Sequence, residues 1–384
     1  MRGLKILSLS SMGREFAKPV ENALAGLGHE VVCLYPADYS DYERDRNIER
    51  RQFKANRIER AIGIVFGSST VAGEIMRGAG AIMNQRSEVI QAYFAYPPGF
   101  AAAILKKMFP SKCLVITVSG VDVALLEYKE RYGLRWNWRK RMMISFALRT
   151  ADCVVAPSDF GRKLAVQSGA RSSKVRVIPW PFELPETRAD GMADPNPPLT
   201  RPPIVLAASR HVPFKGLDIL IEAMHIVRET VPEAELVLTG KPTQYTHVLR
   251  KLVFSLGLEK SVHFVGFVAR SEMRNQYERA SVFCQPGLAD LFAISALEAM
   301  ACGKPVVVTT LVGLESFMKG MEVGLIVPPF NPKELASAIC LLLTDQTLNR
   351  KMGSNARKFS EAFTPMEIAR KYSKMYLEAK VTPS

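Results

Sequence analysis

Histidine is scarce in this chain of 384 residues: there are five, His29, His211, His225, His247 and His263, and they do not cluster. The six cysteines (Cys33, Cys113, Cys153, Cys284, Cys302, Cys340) lie far apart, with no Cys-x-x-Cys. That excludes the usual zinc-ligand spacings and points to buried free thiols in a reducing compartment. No apolar run approaches bilayer length; the longest, Gly99 to Leu105, stops at Lys106-Lys107. The start, MRGLKILSLSSMG, has too short an apolar stretch for a secretory signal and reads as a first strand, so a cytoplasmic location is expected. Nucleic-acid-binding motifs are also missing.

What is abundant is positive charge. The net formal charge is +14, and residues 1–190 hold most of it, with 29 Lys and Arg against 19 Asp and Glu, or +10. A basic half calls for an anionic partner: a membrane surface, a nucleic acid or a phosphorylated substrate.

Short apolar runs alternate with helical patterns. LKILSLSS reads as a strand, Phe16 to Leu27 as a helix and GHEVVCLY as a second strand, with further strands at AIGIVFGSS, CLVITVSG and CVVAPS. Between Pro179 and Pro203 eight of the 24 prolines gather in 25 residues, a stretch that resists both helix and sheet. Beyond it the alternation restarts, from PIVLAAS through PVVVTT, and the tail from Pro365 to Lys380 reads as one amphipathic helix. The expectation is an α/β chain with two doubly wound, parallel-sheet domains.

Two stretches carry chemistry. In ASRHVPFKGLDILIEA a strand ends at Ala208, and Arg210 and Lys215 occupy the loop beyond its carboxyl end, where open α/β sheets bind ligands. Two cations there suit a pyrophosphate; the competing reading is a pair of solvated charges before a helix. In QPGLADLFAISALEAMACGKPVVVTT a strand is followed by a loop with Asp290 and a helix from about Phe292 to Ala301. Free N–H groups at Ala293 and Ile294 would bind phosphate oxygens. Glu298, one turn in, can reach a ribose diol, and Asp290 can accept from sugar hydroxyls. Otherwise Asp290 is a helix cap and Glu298 an exposed charge.

Together these motifs resemble the retaining glycosyltransferase family 4 (glycosyl transferases group 1). Arg210, Lys215 and Gly216 stand at the family spacing, LEAMACGKPVVVTT from Leu297 matches almost letter for letter, and VGLESF and GLIVPPFNPKELASAI follow in the family order. The resemblance implies a GT-B fold, two Rossmann-like domains facing a deep cleft. An acceptor-binding domain would span 1–180, a linker 181–203 and a nucleotide-sugar-binding domain 204–363, with the terminal helix 364–384 packing back on the first. It implies that Arg210 and Lys215 neutralise the donor diphosphate and that Glu298 holds the ribose. Asp290 would replace the family's first Glu near the transferred sugar, and Gly266, Phe267 and Val268 would border the base. The donor would be a nucleoside diphosphate sugar, UDP- or GDP-linked. The sequence has no Asp-x-Asp, so no metal and no other cofactor is expected.

The chain departs from the family pattern in three places. Asp290 is one methylene short, the usual Gly-Phe-Gly is Leu291-Phe292-Ala293, and the family's His-Gly-x-Asp is Ser119-Gly120-Val121-Asp122. Ser119 can still make a hydrogen bond but cannot be a cation. On the acceptor side Asp122 completes that motif, and Gly13 resembles the family's glycine-bearing acceptor loop. Two basic stretches remain. One runs from Arg44 to Arg60 and includes helix-spaced pairs such as Arg46/Arg50; the other, LRWNWRKRMMISFALR, sets Trp136 and Trp138 among cations beside an apolar run. Such segments suit an anionic lipid interface or, alternatively, a solvated helix face. The reading is a metal-independent retaining transferase with a lipid-linked or glycan acceptor, peripheral on the inner membrane face. The alternative is a catalytically weak GT-B subunit that activates a partner.

Overall fold

A computed structural model describes residues 3–10, 14–36, 42–45, 47–184 and 202–381. Gly13 and most of the expected 181–203 linker fall outside them. The chain divides into two compact units: Met1–Leu125 with Arg131–Pro181 and Pro365–Ser384, and Leu126–Glu130 with Phe182–Thr364.

The first unit holds an eight-stranded sheet. Its strands are β1 (Lys5–Ser10), β2 (Glu30–Pro36), β3 (Tyr42–Asp45), β4 (Ile48–Phe53), β5 (Val89–Tyr93) and β6 (Cys113–Thr117), then β9 (Cys153–Ala156) and β10 (Val175–Val177) after a small hairpin of β7 (Leu126–Tyr128) and β8 (Glu130–Tyr132). The order is β10-β9-β6-β5-β1-β2-β4-β3, parallel throughout except for the edge strand β3, which runs antiparallel to β4. Helices cover both faces, so the inner strands are buried along nearly their whole length; β5 and β6 expose nothing. The direction of winding reverses between β1 and β5.

The terminal helix Pro365–Val381 belongs to this unit and is pinned to it by polar contacts as well as by apolar packing. Tyr372 Oη lies 2.9 Å from Thr117 Oγ1, Tyr376 Oη donates to Gln91 Oε1 at 2.9 Å, and Ser373 Oγ lies 2.8 Å from His29 Nε2. His29 is buried and also accepts from the Leu4 N–H at 3.0 Å.

Several expected elements differ. AIGIVFGSS was expected as a strand, but the helix Arg57–Val65 runs through it. The reason lies just upstream: Asn56 Oδ1 accepts from the Glu59 N–H (2.8 Å) and Glu59 Oε2 from the Asn56 N–H (2.9 Å), a reciprocal capping box that starts a helix. Arg50 and Arg51 lie on β4, not on a helix. Arg50 is buried and donates to Asn22 Oδ1, while Arg51 pairs with Glu49. Pairing with β2 decides this conformation, and helical spacing of charges carries no information about such a distant partner. Arg46 lies outside the described residues. The short segment Leu126–Glu130 groups with the second unit. There Tyr128 Oη donates to Asp218 Oδ2 at 2.7 Å, and Lys129 pairs with the same carboxylate.

The second unit is a six-stranded parallel sheet: β11 (Ile204–Ala208), β12 (Glu235–Thr239), β13 (Val262–Gly266), β14 (Val282–Gln285), β15 (Val306–Thr309) and β16 (Gly324–Val327). Its order, β13-β12-β11-β14-β15-β16, is the Rossmann order, with the switch point between β11 and β14. Five of the six cysteines are buried and all six are free thiols. No helix among the described residues is long and apolar enough to cross a membrane.

Candidate active site

The sheet order already says where to look. Ligands of open α/β sheets bind beyond the carboxyl ends of the strands at the switch point, here the loops after β11 and β14. The first carries Arg210 and Lys215; the second carries Asp290 and leads into the helix Ile294–Ala301.

The loop after β11 is shaped by glycine. It closes through a short 3-10 turn, Pro213–Lys215, and reverses at Gly216, whose φ of 66° is left-handed. A Cβ there would lie 2.1 Å from the Pro286 carbonyl oxygen, so nothing larger fits. That close approach brings the two loops together and is tied by the Leu288 N–H donating to the Phe214 carbonyl at 2.8 Å. Lys215 therefore meets Asp290: its ammonium donates to Oδ2 at 2.5 Å, and Gln285 Nε2 donates to the same oxygen at 3.0 Å. Both ionic side chains keep under a fifth of their surface exposed. Arg210 is exposed at the mouth of the loop, and its guanidinium has no partner among the described residues. His211 turns inward, fully buried with Nδ1 3.0 Å from Thr246 Oγ1, and burial pushes its pKa down.

In the second loop the Asp290 backbone is clamped: its N–H donates to the Leu311 carbonyl (3.1 Å) and its carbonyl accepts from the Gly313 N–H (2.7 Å). Leu291, Phe292 and Ala293, which replace the expected glycines, are all buried. Phe292 fills an aromatic cluster with Phe317 and Phe363, ring centroids 5.8 Å away in each case. Those side chains go into the core, and the polar backbone of the helix start stays at the loop. No side chain caps that start at Ala293.

Glu298 was expected either on a ribose or as a bare surface charge. It is largely buried and its carboxylate already has a partner, Tyr277 Oη donating to Oε2 at 2.6 Å. Burial raises its pKa, while the Tyr277 hydrogen bond and the nearby Arg270 guanidinium pull it back. Neither Tyr277 nor Gln285 was singled out from the sequence; each is an ordinary helix or strand residue until the fold sets it against an acid. At the end of β13 Gly266 takes φ 81°, and the Phe267 ring beyond it stands 75% exposed, with Val268 half-buried beside it.

The candidates on the first unit are arranged differently. Ser119 follows β6 as the N-cap of the short helix Gly120–Val123 and is buried, forming a reciprocal capping box with Asp122. Asp122 is fully buried; its Oδ2 accepts from the Ala95 N–H at 2.8 Å and the Ser119 N–H at 3.2 Å. Burial raises its pKa to about 7 against those hydrogen bonds. Asp122 thus ties the loop after β5 to the loop after β6 and offers a ligand no open face.

A doubly wound unit whose switch point presents two cations and an uncapped helix start has the construction of a nucleotide-phosphate binder. Known proteins make this specific. The model for glycosyl transferases group 1 matches residues 193–359, and that for glycosyltransferase family 4 matches residues 20–184. Between them they cover most of the chain, which belongs to this glycosyltransferase family. Among curated relatives, D-inositol 3-phosphate glycosyltransferase of Kineococcus radiotolerans is 31% identical over 237 residues, covering 56% of this chain and 54% of the relative. Mannosylfructose-phosphate synthase of Agrobacterium fabrum is 27% identical over 259 residues, covering 63% and 57%. The chain spans about half the length of the curated relatives it matches. Sucrose-phosphate synthase of Thermosynechococcus elongatus has a similar structure, with a TM-score of 0.79 at 23% identity over 98% of both chains. Anabaena HepE, solved with UDP and glucose, gives 0.75 at 21% identity, over 98% of this chain and all of that one. The fold is GT-B.

Proposed function

We propose that this protein transfers a sugar, with retention of configuration, from a UDP- or GDP-linked donor held on the second unit to an anionic acceptor. The observation that carries the reading is the switch point itself: Lys215 and Asp290 meet there at 2.5 Å beside the uncapped start of the helix Ile294–Ala301. Arg210, Lys215 and the helix N–H groups at Ala293 and Ile294 neutralise charge as it develops on the departing diphosphate. Glu298, oriented by Tyr277, takes the ribose hydroxyls, and Gly266, Phe267 and Val268 border the base. The anomeric C–O bond to the diphosphate breaks on the same face on which the acceptor oxygen bonds. The acceptor proton passes to the departing phosphate oxygen, so no separate base is needed. Asp290 stands beside the transferred sugar. Ser119 is the first unit's candidate catalytic group, and Asp122 sets the loop that carries it. Charge compensation by side chains and backbone gives a metal-independent reaction with no cofactor.

The acceptor follows from the +10 carried by residues 1–190. A lipid-linked or glycan acceptor fits the helix Trp138–Thr150, which exposes Trp138, Met142 and Phe146 at four-residue intervals with Arg139, Lys140 and Arg141 beside them, and Trp136 just before. Peripheral attachment to an anionic inner leaflet is part of that reading. A second reading, a phosphorylated sugar or cyclitol as acceptor, is favoured by the phosphate in the names of several relatives. The deciding experiment incubates the purified chain with UDP- and GDP-sugars in excess EDTA. Slow donor hydrolysis, and transfer once an acceptor is added, are expected. A strict requirement for Mg²⁺ or Mn²⁺ overturns the charge assignment, and binding without any turnover favours the alternative of a GT-B subunit that activates a partner enzyme.

A further inference from the structure

The first unit gathers cations at the opposite end of its sheet from Ser119 and Asp122. A hollow of about 370 Å³ opens beside the amino ends of β6 and β9. Five cations line it, Lys106, Lys107, Arg149, Arg171 and Lys174, against one carboxylate, Asp152.

The carboxylate is already committed. Asp152 Oδ2 accepts from the Leu114 N–H and from Lys106 Nζ, each at 2.8 Å. Lys106 spends its other donors on the carbonyls of Pro110 (2.9 Å) and Lys112 (2.6 Å). Those two charges cancel and leave four cations. Lys174 makes one long contact, 3.4 Å to the Ala151 carbonyl. The side chains of Lys107, Arg149 and Arg171 have no partner among the described residues.

Helix dipoles account for part of this. Lys106 and Lys107 sit in the last turn of the helix Pro98–Met108 and Arg149 in that of Trp138–Thr150, where cations are favoured. Arg171 and Lys174 belong to neither helix; Arg171 precedes the turn Ser172–Lys174 and Lys174 ends it before β10, and yet they face the same hollow. Unneutralised like charges converging on a concave surface repel one another and focus a positive field. Guanidinium forks combined with ammonium groups suit the several oxygens of a phosphate.

We propose that this hollow binds a phosphate-class oxyanion, either the phosphate of a soluble ester or that of an anionic lipid head group, at a site separate from the donor diphosphate. It goes beyond the transferase reading and does not depend on it.

The test uses the full chain with Arg210→Ala and Lys215→Ala, so that the donor site does not compete, and two probes: inorganic pyrophosphate by calorimetry, and phosphatidylglycerol against phosphatidylcholine vesicles by co-sedimentation at low salt. Lys107→Glu with Arg171→Glu is then added. Both residues are exposed and unpartnered, so the fold should hold; Lys107→Gln with Arg171→Gln serves as the milder pair if it does not. Binding of at least one probe is expected, and the added pair should weaken it by about tenfold or more, as loss of two charge-assisted contacts requires. Loss of pyrophosphate binding identifies a soluble ester, and loss of vesicle binding alone identifies a head group. With only the pocket pair substituted, nucleoside diphosphate affinity should match wild type. If neither probe binds, or both bind equally well after the substitutions, the proposal is wrong.

Discussion

Lys215 is held by Asp290, so a donor diphosphate must take the ammonium away from a carboxylate. Two unit charges 2.5 Å apart attract by about 7 kcal/mol at an effective dielectric of about 20. Solvent reaches both side chains and desolvation opposes the attraction, leaving the net worth of a hydrogen bond to a charged group at about 1.5–3 kcal/mol. Lys215→Ala should therefore weaken nucleoside diphosphate binding roughly 10- to 150-fold. Asp290→Asn keeps the shape of the loop but lets the ammonium go, so the bare diphosphate should bind up to about tenfold more tightly, although sugar transfer should fall. In the double variant there is no ammonium to release and the gain should vanish, a non-additivity of about 1–2 kcal/mol. Titration calorimetry with UDP and GDP, at low and at high salt, reads all four corners of the cycle. Wild-type affinity in Lys215→Ala would refute the reasoning, as would an Asp290→Asn variant that binds the bare diphosphate as poorly as Lys215→Ala does.

Glu74 is fully buried with both carboxylate oxygens unpartnered, and burial raises its pKa to about 8. The folded state therefore binds the proton more tightly than the unfolded chain, and stability falls as pH rises from about 4.5 towards 8. Glu74→Met should be more stable than wild type by about 2–4 kcal/mol at pH about 8, with the margin shrinking towards pH about 5; urea unfolding at both values that showed a constant margin would contradict this. Tyr277→Phe removes the donor to Glu298 and should push that carboxyl further up. If the ionised form holds the ribose, the loss of donor affinity on acidification should begin at a higher pH than in wild type, and identical pH profiles would remove Glu298 from the site. Gly216→Ala forces a Cβ into the Pro286 carbonyl at a left-handed φ and should cost about 2–4 kcal/mol by chemical denaturation, with diphosphate affinity falling as Lys215 shifts; a change under about 0.5 kcal/mol would mean that the loop is slack. Replacing Arg139, Lys140 and Arg141 by Ser should reduce co-sedimentation with anionic vesicles, each cation near the surface contributing on the order of 1 kcal/mol; wild-type protein that ignores such vesicles at low salt would leave the acceptor in solution.

The sequence by itself settled what local chemistry controls. Apolar runs buried on both faces identify parallel strands, and alternation with helices identifies a doubly wound sheet, so nearly every element of the second unit was legible between Ile204 and Thr309. Arg210, Lys215 and Asp290 could be placed because strand ends are local features and ligands gather beyond them. The reciprocal cap Asn56–Glu59 is also present in the letters, and it outweighs the apolar run that follows it.

Only the tertiary structure could decide which distant groups meet. Arg50 reads as a surface cation until β4 pairs with β2 and buries it against Asn22. Glu298 reads as a free carboxylate until a helix that begins 28 residues earlier, at Arg270, brings Tyr277 to it. Asp122 reads as a site acid, but its environment is two backbone N–H groups from different loops. Lys107 and Arg171 lie 64 positions apart in sequence and face one hollow. Burial, pairing and pKa depend on what lies across a sheet or loop, and spacing along the chain fixes only the neighbours within one element.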